Sequence, residues 1–316
     1  VLASCGKPLL PVLNFVSSPQ HREPEWREAL ARLGLHALVR FDSVAPPEDG
    51  ERRLYESLAL LLEHSRGALQ RLITDQEAQR EARKHSALRL IAELLIDCAA
   101  CRRSVASEKA AEQQAIQQLR EVIRQREQRC VEAMLKLYGF RSSDAAASDL
   151  PLLDGRWGDD LFNPETLKQL GVRVGSGIAA GAAAGAGVDL MVGGLTLGAA
   201  ALAGAIAGGA LQTARSYGSR LLGKLKGQRE LTVDDSVLRL LALRQRQLLH
   251  ALNARGHAAV DSIKVATPQD KTWREGKLPE ALNKARAHPQ WSSLNPHAKL
   301  SHAERQEQIE LLAEQI

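Results

Sequence analysis

The chain has 316 residues, of which 44% are apolar and 25% charged, and this composition excludes an intrinsically disordered chain and allows more than one domain. Aromatic residues make up only 3%, so alanine, leucine and glycine carry the apolar share, which favours helices over sheets. The net charge of +5 and the pI near 9.1 allow an anionic partner. Basic residues are not interleaved with aromatic ones, however, so we expect no binding of nucleic acid.

The cysteines and the N-terminal residues indicate the cellular compartment in which the protein is expected to lie. Four cysteines in a chain of this size, Cys5, Cys98, Cys101 and Cys130, argue for a reducing compartment and against a disulfide framework. The first residues lack the basic stretch that opens a signal peptide. Because Val1 is not an initiator methionine, we expect a fragment of a longer protein or an alternative start. The expected location is the cytoplasm, or the inner membrane reached from the cytoplasmic side.

The first part of the chain, residues 1–64, predicts alternating strands and helices. Its elements are an apolar strand at 8–16, a helix from Glu23 to Leu33 closed by Gly34, a second strand at 36–41 and a helix from Glu51. Two strands joined by a crossover helix form a parallel pair, but two strands cannot bury both faces of a sheet. We therefore expect more of this domain to precede Val1.

The rest of the chain, residues 65–316, predicts a helical domain. Leu88, Ile91, Leu95 and Cys98 share one face of a long helix, and Arg89, Glu93 and Asp97 stand four apart on another. A second helix over about 108–138 completes an antiparallel hairpin. The simplest interpretation of the charge run Arg120–Arg129 is the solvated face of this second helix.

Two cysteines and the histidines are the candidate metal ligands of the sequence. Cys98-Ala-Ala-Cys101 places both thiols on one side of a helix, as a metal or redox pair requires, but nothing completes four ligands. Small buried thiols are therefore the preferred interpretation. The nine histidines show no ligand spacing, so we expect no metal site and find no complete catalytic centre.

A Gly/Ala-rich segment lies between residues 171 and 227 and holds 15 of the 24 glycines. Between Val174 and Thr213 the only ionisable residue is Asp189. Small residues four apart let two helix backbones approach closely, and the residues so spaced are Gly177, Gly181, Gly185, Gly194, Gly198, Gly204 and Gly208. We expect a membrane hairpin of two helices of about 17–20 residues each, with its turn near Asp189 and Gly193-Gly194. The alternative is an ordinary buried helix pair.

The C-terminal part is expected to be soluble in character. Thr232-Val-Asp-Asp235 matches a capping box at the start of a helix that carries Leu238, Leu241, Leu248 and Leu252. Beyond it, residues 265–316 predict short helices and loops, in which Trp273 and Trp291 are expected to anchor the packing.

The strand end Leu13-Asn14-Phe15, the segment Phe41-Asp42-Ser43-Val44-Ala45, and the helix Leu90–Asp97 resemble a bacterial family in which an Era/TrmE-like GTPase domain precedes an uncharacterised helical domain. The resemblance implies that Asn14 and Ser17 stand in the guanine-reading motif Asn-Lys-x-Asp. It also implies that Ser43 and Val44 lie in the loop that contacts the guanine carbonyl. Phe15 replaces the lysine and Ser17 the aspartate, so the charged acceptor for guanine is missing. Taken alone, Asn14 is equally compatible with a polar strand end.

The resemblance implies a fold class and a function. The expected fold is mainly α, with a truncated β-α-β-α part of a P-loop GTPase domain ahead of the helical domain and its hairpin. The family's loop Gly-x4-Gly-Lys-Ser/Thr and its Asp-x-x-Gly motif do not occur in this sequence. GTP and Mg²⁺ are therefore expected to bind, and GTP to be hydrolysed, only in the full-length protein and not by this chain alone. The alternative is a non-enzymatic helical protein that inserts in or perforates membranes.

Overall fold

A computed structural model gives the fold of the chain. It describes residues 6, 8–16, 21–42, 49–106, 108–140, 152, 156–163, 166, 188–191, 228–254 and 273–316. The described part is mainly helical, as expected, and most of its buried apolar side chains form one continuous core.

The N-terminal elements follow the predicted order. They are strand β1 (Val12–Leu13), helix α1 (Glu23–Arg32), strand β2 (Val39–Arg40) and helix α2 (Gly50–Leu61). The two strands are parallel, with Val12 opposite Val39, which confirms the predicted pairing. Each strand has only two residues, shorter than the predicted runs. One reason is that only two described strands share the ladder, so neither is held along both edges.

Two long helices form the frame of the molecule. Helix α3 (Arg66–Ala100) has 35 residues, a length of about 52 Å at 1.5 Å per residue. Helix α4 (Lys109–Leu137) runs back along it, because Leu90 of α3 meets Cys130 of α4 while Asp97 meets Arg126. The antiparallel hairpin is thus confirmed.

The connection between these two helices is a strand that the sequence analysis missed. Strand β3 (Arg102–Ala106) pairs antiparallel with β5 (Gln228–Val233), and β5 pairs antiparallel with β4 (Val188–Met191). The strand order is β3-β5-β4, so the central strand comes last in the chain. Nothing local in the sequence marks β3, because its partner lies more than a hundred residues further on.

The sheet corrects two predictions. Asp189 lies within β4, opposite Thr232 of β5, and not in a turn between two helices. Thr232 is accordingly a strand residue and does not cap a helix. Asp234 takes that role: its Oδ1 accepts a hydrogen bond from the backbone N–H of Ser236 at 2.7 Å.

The C-terminal helices cover the second half of α3. They are α5 (Asp235–Ala254), α6 (Glu280–Ala287) and α7 (Ala303–Ala313). The α3 residues from Ala87 to Ala100 are largely buried by them, whereas the first half of α3 is mostly exposed. Trp273 and Trp291 are both buried in the core, which confirms their predicted role as packing anchors.

Candidate functional site

The predicted guanine-binding residues centre on the end of β1. Asn14 follows β1 directly and is exposed, and its Oδ1 accepts a hydrogen bond from the backbone N–H of Phe15 at 2.8 Å. The other three predicted residues, Ser17, Ser43 and Val44, lie outside the described residues. Of the four, the structure therefore locates Asn14 alone.

The backbone next to Asn14 has an unusual conformation. Phe15 has φ +58°, the only positive φ of a non-glycine residue among the residues that the structure describes. A bulky side chain rarely adopts this left-handed conformation, and such residues cluster at functional sites. The Phe15 side chain is 58% exposed, so packing of this ring does not explain the conformation. Since ligands of parallel α/β sheets bind at the carboxyl ends of strands, this position is a candidate binding edge.

The Gly/Ala-rich segment lies almost wholly outside the described residues, as do Gly177, Gly181, Gly185, Gly194, Gly198, Gly204 and Gly208. Its described part is β4, which contains Asp189 and is held in the sheet by β5. Within the described ranges no helix is both long and apolar enough to cross a membrane.

The segment just before the Gly/Ala-rich run, residues 156–163, is fastened to the helical core. Leu161 and Phe162 are buried in it. Arg124 of α4 binds both carboxylate oxygens of Asp160, at 3.0 and 3.1 Å. The guanidinium of Arg124 also lies 5.1 Å from the centre of the Phe162 ring. On the other side of the run, β5 holds the chain in the sheet, so the described residues that flank the Gly/Ala-rich run on either side are tied to one core.

Asp97 is the centre of a buried ionic cluster, which corrects its predicted place on a charged face. Its side chain is 2% exposed. Arg126 of α4 donates to Oδ2 at 2.7 Å, and Arg305 of α7 donates to Oδ1 at 3.2 Å. Ser293 donates its hydroxyl to Oδ2 at 2.7 Å and its backbone N–H to Oδ1 at 2.9 Å. Four donors satisfy the carboxylate, so the cluster joins α3, α4, α7 and the loop that carries Ser293.

A second buried acid, Glu127, corrects the prediction that residues 120–129 are a solvated face. Glu127 is 6% exposed and faces α5. Its Oε2 lies 3.5 Å from Arg244 Nη1, and its Oε1 accepts from Gln245 Nε2 at 3.5 Å. Burial is the largest influence on this carboxyl, ahead of the opposing effects of Arg244 and Gln245, and raises its pKa to about 7.

The three described cysteines are buried free thiols, as the sequence analysis preferred. Burial raises the pKa of Cys98 well above its ordinary value, that of Cys101 to about 11 and that of Cys130 to about 12. Thiols with such pKa values stay protonated at neutral pH and are poor nucleophiles. Among the described residues, no group of histidines, cysteines and acids is placed to hold a metal ion.

Sequence reasoning missed the burial of both acids, Asp97 and Glu127, because the residues that bind them are distant in the chain. Arg305 lies 208 residues from Asp97, and Gln245 lies 118 residues from Glu127. One local signal existed: Asp97 stands inside the apolar run Leu94–Ala100, where a charged residue requires a buried partner.

The described residues define a class of protein, a mainly helical domain with a small sheet that a parallel strand pair precedes. The model of the family described as a domain of unknown function, DUF3482, matches residues 27–314, and the chain belongs to this family. No curated protein and no solved structure matches the chain.

Proposed function

We propose that the chain is the C-terminal portion of a GTP-binding protein whose helical domain acts at a membrane. The observation that carries the nucleotide half of this proposal is the β1-α1-β2 unit. It combines a parallel strand pair, an Asn at the carboxyl end of the first strand and a left-handed Phe15 beside it. In a full-length protein this edge would contact the base, and GTP and Mg²⁺ would be held by a phosphate-binding loop that this chain does not contain.

Helix α3 offers a route from the nucleotide to the helical domain. Helix α2, which follows the strand pair, packs on the first half of α3, and Arg52 of α2 pairs with Glu77 of α3 at 3.2 Å. The second half of the same helix is buried in the core and carries Asp97. Because α3 is continuous, a displacement of α2 would be transmitted to the core as a rigid-body movement.

The membrane half of the proposal concerns the residues between β4 and β5. Residues 192–213 contain no ionisable side chain, and Arg215, Arg220, Lys224 and Lys226 follow them. Lys168 and Arg173 precede the whole Gly/Ala-rich segment. The 22 residues from 192 to 213 are too few for two bilayer-spanning helices of about 17–20 residues each, so we propose a re-entrant hairpin. Basic residues on both flanks favour its entry from the cytoplasmic side and its return there. The pairing of β4 with β5 supports such a return, because it brings residues 191 and 230 side by side.

Nucleotide binding by the full-length protein tests the first half. A fluorescent GTP analogue with Mg²⁺ should bind, and Asn14→Ala should weaken its binding about tenfold, the effect of one lost polar contact to the ligand. Glu28→Ala, on the exposed face of α1, is the matched control and should bind as the wild type does. The 316-residue chain alone should show no binding in isothermal titration. Micromolar binding by that chain would place the site elsewhere.

Vesicle binding separates the proposal from the alternative, a non-enzymatic protein that inserts in membranes. The full-length protein should float with phosphatidylethanolamine–phosphatidylglycerol vesicles, and the fraction bound should differ between GDP and a non-hydrolysable GTP analogue. Flotation that is insensitive to nucleotide, together with no GTP binding, would favour the alternative. Absence of flotation under every condition would remove the membrane half.

A further inference from the structure

Two adjacent residues of α4, Arg126 and Glu127, lie in very different ionic environments. Arg126 meets a carboxylate that four donors satisfy at 2.7–3.2 Å. Glu127, the next residue, is also buried, but both of its polar contacts with described residues are 3.5 Å long. Contacts of that length offset only part of the free energy that a buried carboxylate loses on leaving water. Glu127 is therefore poorly compensated as an anion, in contrast to Asp97.

The neighbouring glutamine offers what a protonated Glu127 would need. Gln245 Oε1 is buried and finds no hydrogen-bond partner among the described residues. A rotation of this amide would bring Oε1 to the place of Nε2, 3.5 Å from the carboxyl group, where it can accept the O–H of a neutral Glu127. Protonation would thus satisfy a buried acceptor and remove a buried charge in one step.

The charged groups around Glu127 have opposing effects on its protonation. Asp160, in the 156–163 segment, raises the pKa of Glu127 further, after the larger effect of burial. Cys98 of α3 and Cys130 of α4 also lie near enough to sense the Glu127 charge, but both thiols are neutral at physiological pH. Arg244 is the cation that opposes protonation, and its side chain is 4% exposed.

Arg244 is shared between Glu127 and the 156–163 segment. Its Nη2 donates to the backbone carbonyl of Asp159 at 2.7 Å, and its guanidinium lies 5.3 Å from the centre of the Trp157 ring. While Glu127 is ionised, the ion pair holds Arg244 in the core, and Arg244 holds the segment. Once Glu127 is neutral, the described residues offer Arg244 no other ion pair, which favours movement of this buried cation towards water.

We propose that Glu127 is a proton-binding site that controls how firmly Arg244 holds the 156–163 segment to the helical core. The segment is held when the carboxyl is ionised and loosened when it is protonated, across the neutral pH range. Since the segment precedes the Gly/Ala-rich run, protonation would also free the start of the proposed membrane hairpin. Only that last consequence rests on the proposed function; the proton site stands on the described residues alone.

Electron paramagnetic resonance of a spin label at position 158 tests the proposal. Gly158 is exposed, and Gly158→Cys in a Cys5→Ser background carries one accessible thiol, because the described native cysteines are buried. The label should become more mobile as the pH falls from 8.5 to 5.5, with a midpoint near 7. Glu127→Gln, which mimics the neutral acid, should give a mobile label at every pH. Glu132→Gln, an exposed acid on the same helix, is the control and should titrate like the parent.

A folding control and a second variant, Arg244→Lys, complete the test. Circular dichroism at 222 nm should be unchanged in each variant, which separates loosening of the segment from unfolding. Arg244→Lys, which keeps the charge but loses the planar fork, should give a mobile label at every pH. The proposal is overturned if the parent label shows no transition between pH 5.5 and 8.5. It is equally overturned if Glu127→Gln titrates like the parent.

Discussion

Arg126 of α4 donates from Nε to Oδ2 of Asp97 on α3 at 2.7 Å, in a place where both side chains are largely buried. The pair joins the two long helices at the level where α7 and the loop at residues 292–295 also meet them. A buried carboxylate that binds two arginines costs desolvation energy, and the gain is a defined register between the elements that carry its partners. The positions of α3, α4 and α7 therefore depend on one residue.

Replacement of Asp97 by alanine should lower the free energy of unfolding by about 3–5 kcal/mol, because two buried arginines lose their counter-charge. Urea denaturation followed by circular dichroism measures it. Glu93→Ala, one turn earlier on α3, removes only a 3.8 Å pair with Arg89 and should cost below about 1 kcal/mol. Equal losses in the two variants would contradict a central role for Asp97.

Stability should depend on pH through Glu127. Its pKa is about 7 in the folded protein and about 4.3 in the unfolded chain. Between these values the folded state binds more protons, so the free energy of unfolding falls as the pH rises through this window and then levels off. Glu127→Gln should lack this part of the decline, which amounts to about 4 kcal/mol over the whole window. Urea titrations of both proteins at pH 5, 6, 7 and 8 measure the difference, and parallel curves would refute it.

The buried thiols should be inert in the folded protein. At pH 8, a disulfide reagent such as dithionitrobenzoate should leave Cys98, Cys101 and Cys130 unmodified, because burial raises the pKa of each thiol. In a Cys5→Ser variant the reagent should therefore react with none of them until urea is added, and then with all three. Rapid reaction of any one in the native state would show that the core is open there.

Nucleotide specificity should respond to Ser17. In the full-length protein, Ser17→Asp would supply the carboxylate that accepts two N–H donors of guanine, and it should increase the preference for GTP over ATP by about tenfold or more. Competition binding with the two nucleotides measures it. Ser18→Asp is the control for added charge and should leave the preference unchanged. A Ser17→Asp variant without altered preference would mean that this position does not face a base.

Membrane binding should depend on the apolar run after β4. Gly204→Lys places a charge in the middle of that run, at a cost of about 2.5–3.5 kcal/mol if the residue lies at the bilayer centre. Flotation with vesicles should then fall at least tenfold. Ala78→Lys, on the exposed part of α3, adds the same charge elsewhere and should have no such effect. Equal flotation of both variants would exclude insertion of this run.

Local periodicity in the sequence was sufficient for much of the fold. The order β-α-β-α, the α3–α4 hairpin, the helix after Thr232 and the burial of Trp273 and Trp291 were all predicted, because each depends on spacing within one element. Asp189 and Thr232 were misassigned for the converse reason. Their strand pairing joins residues 43 positions apart, and a short strand has too few residues to establish its own pattern.

The sequence by itself determined which segments are helical and which side chains are apolar enough to form a core, since both follow from neighbours three and four residues away. Only the tertiary structure decided which charged side chains are buried and which groups compensate their charge. Asp97 and Glu127 lie in similar helical sequence, yet among the described residues Asp97 gains four close donors and Glu127 only two contacts, each 3.5 Å long. A charge is stabilised or destabilised by the groups that surround it in space, and here those groups come from helices and loops far along the chain.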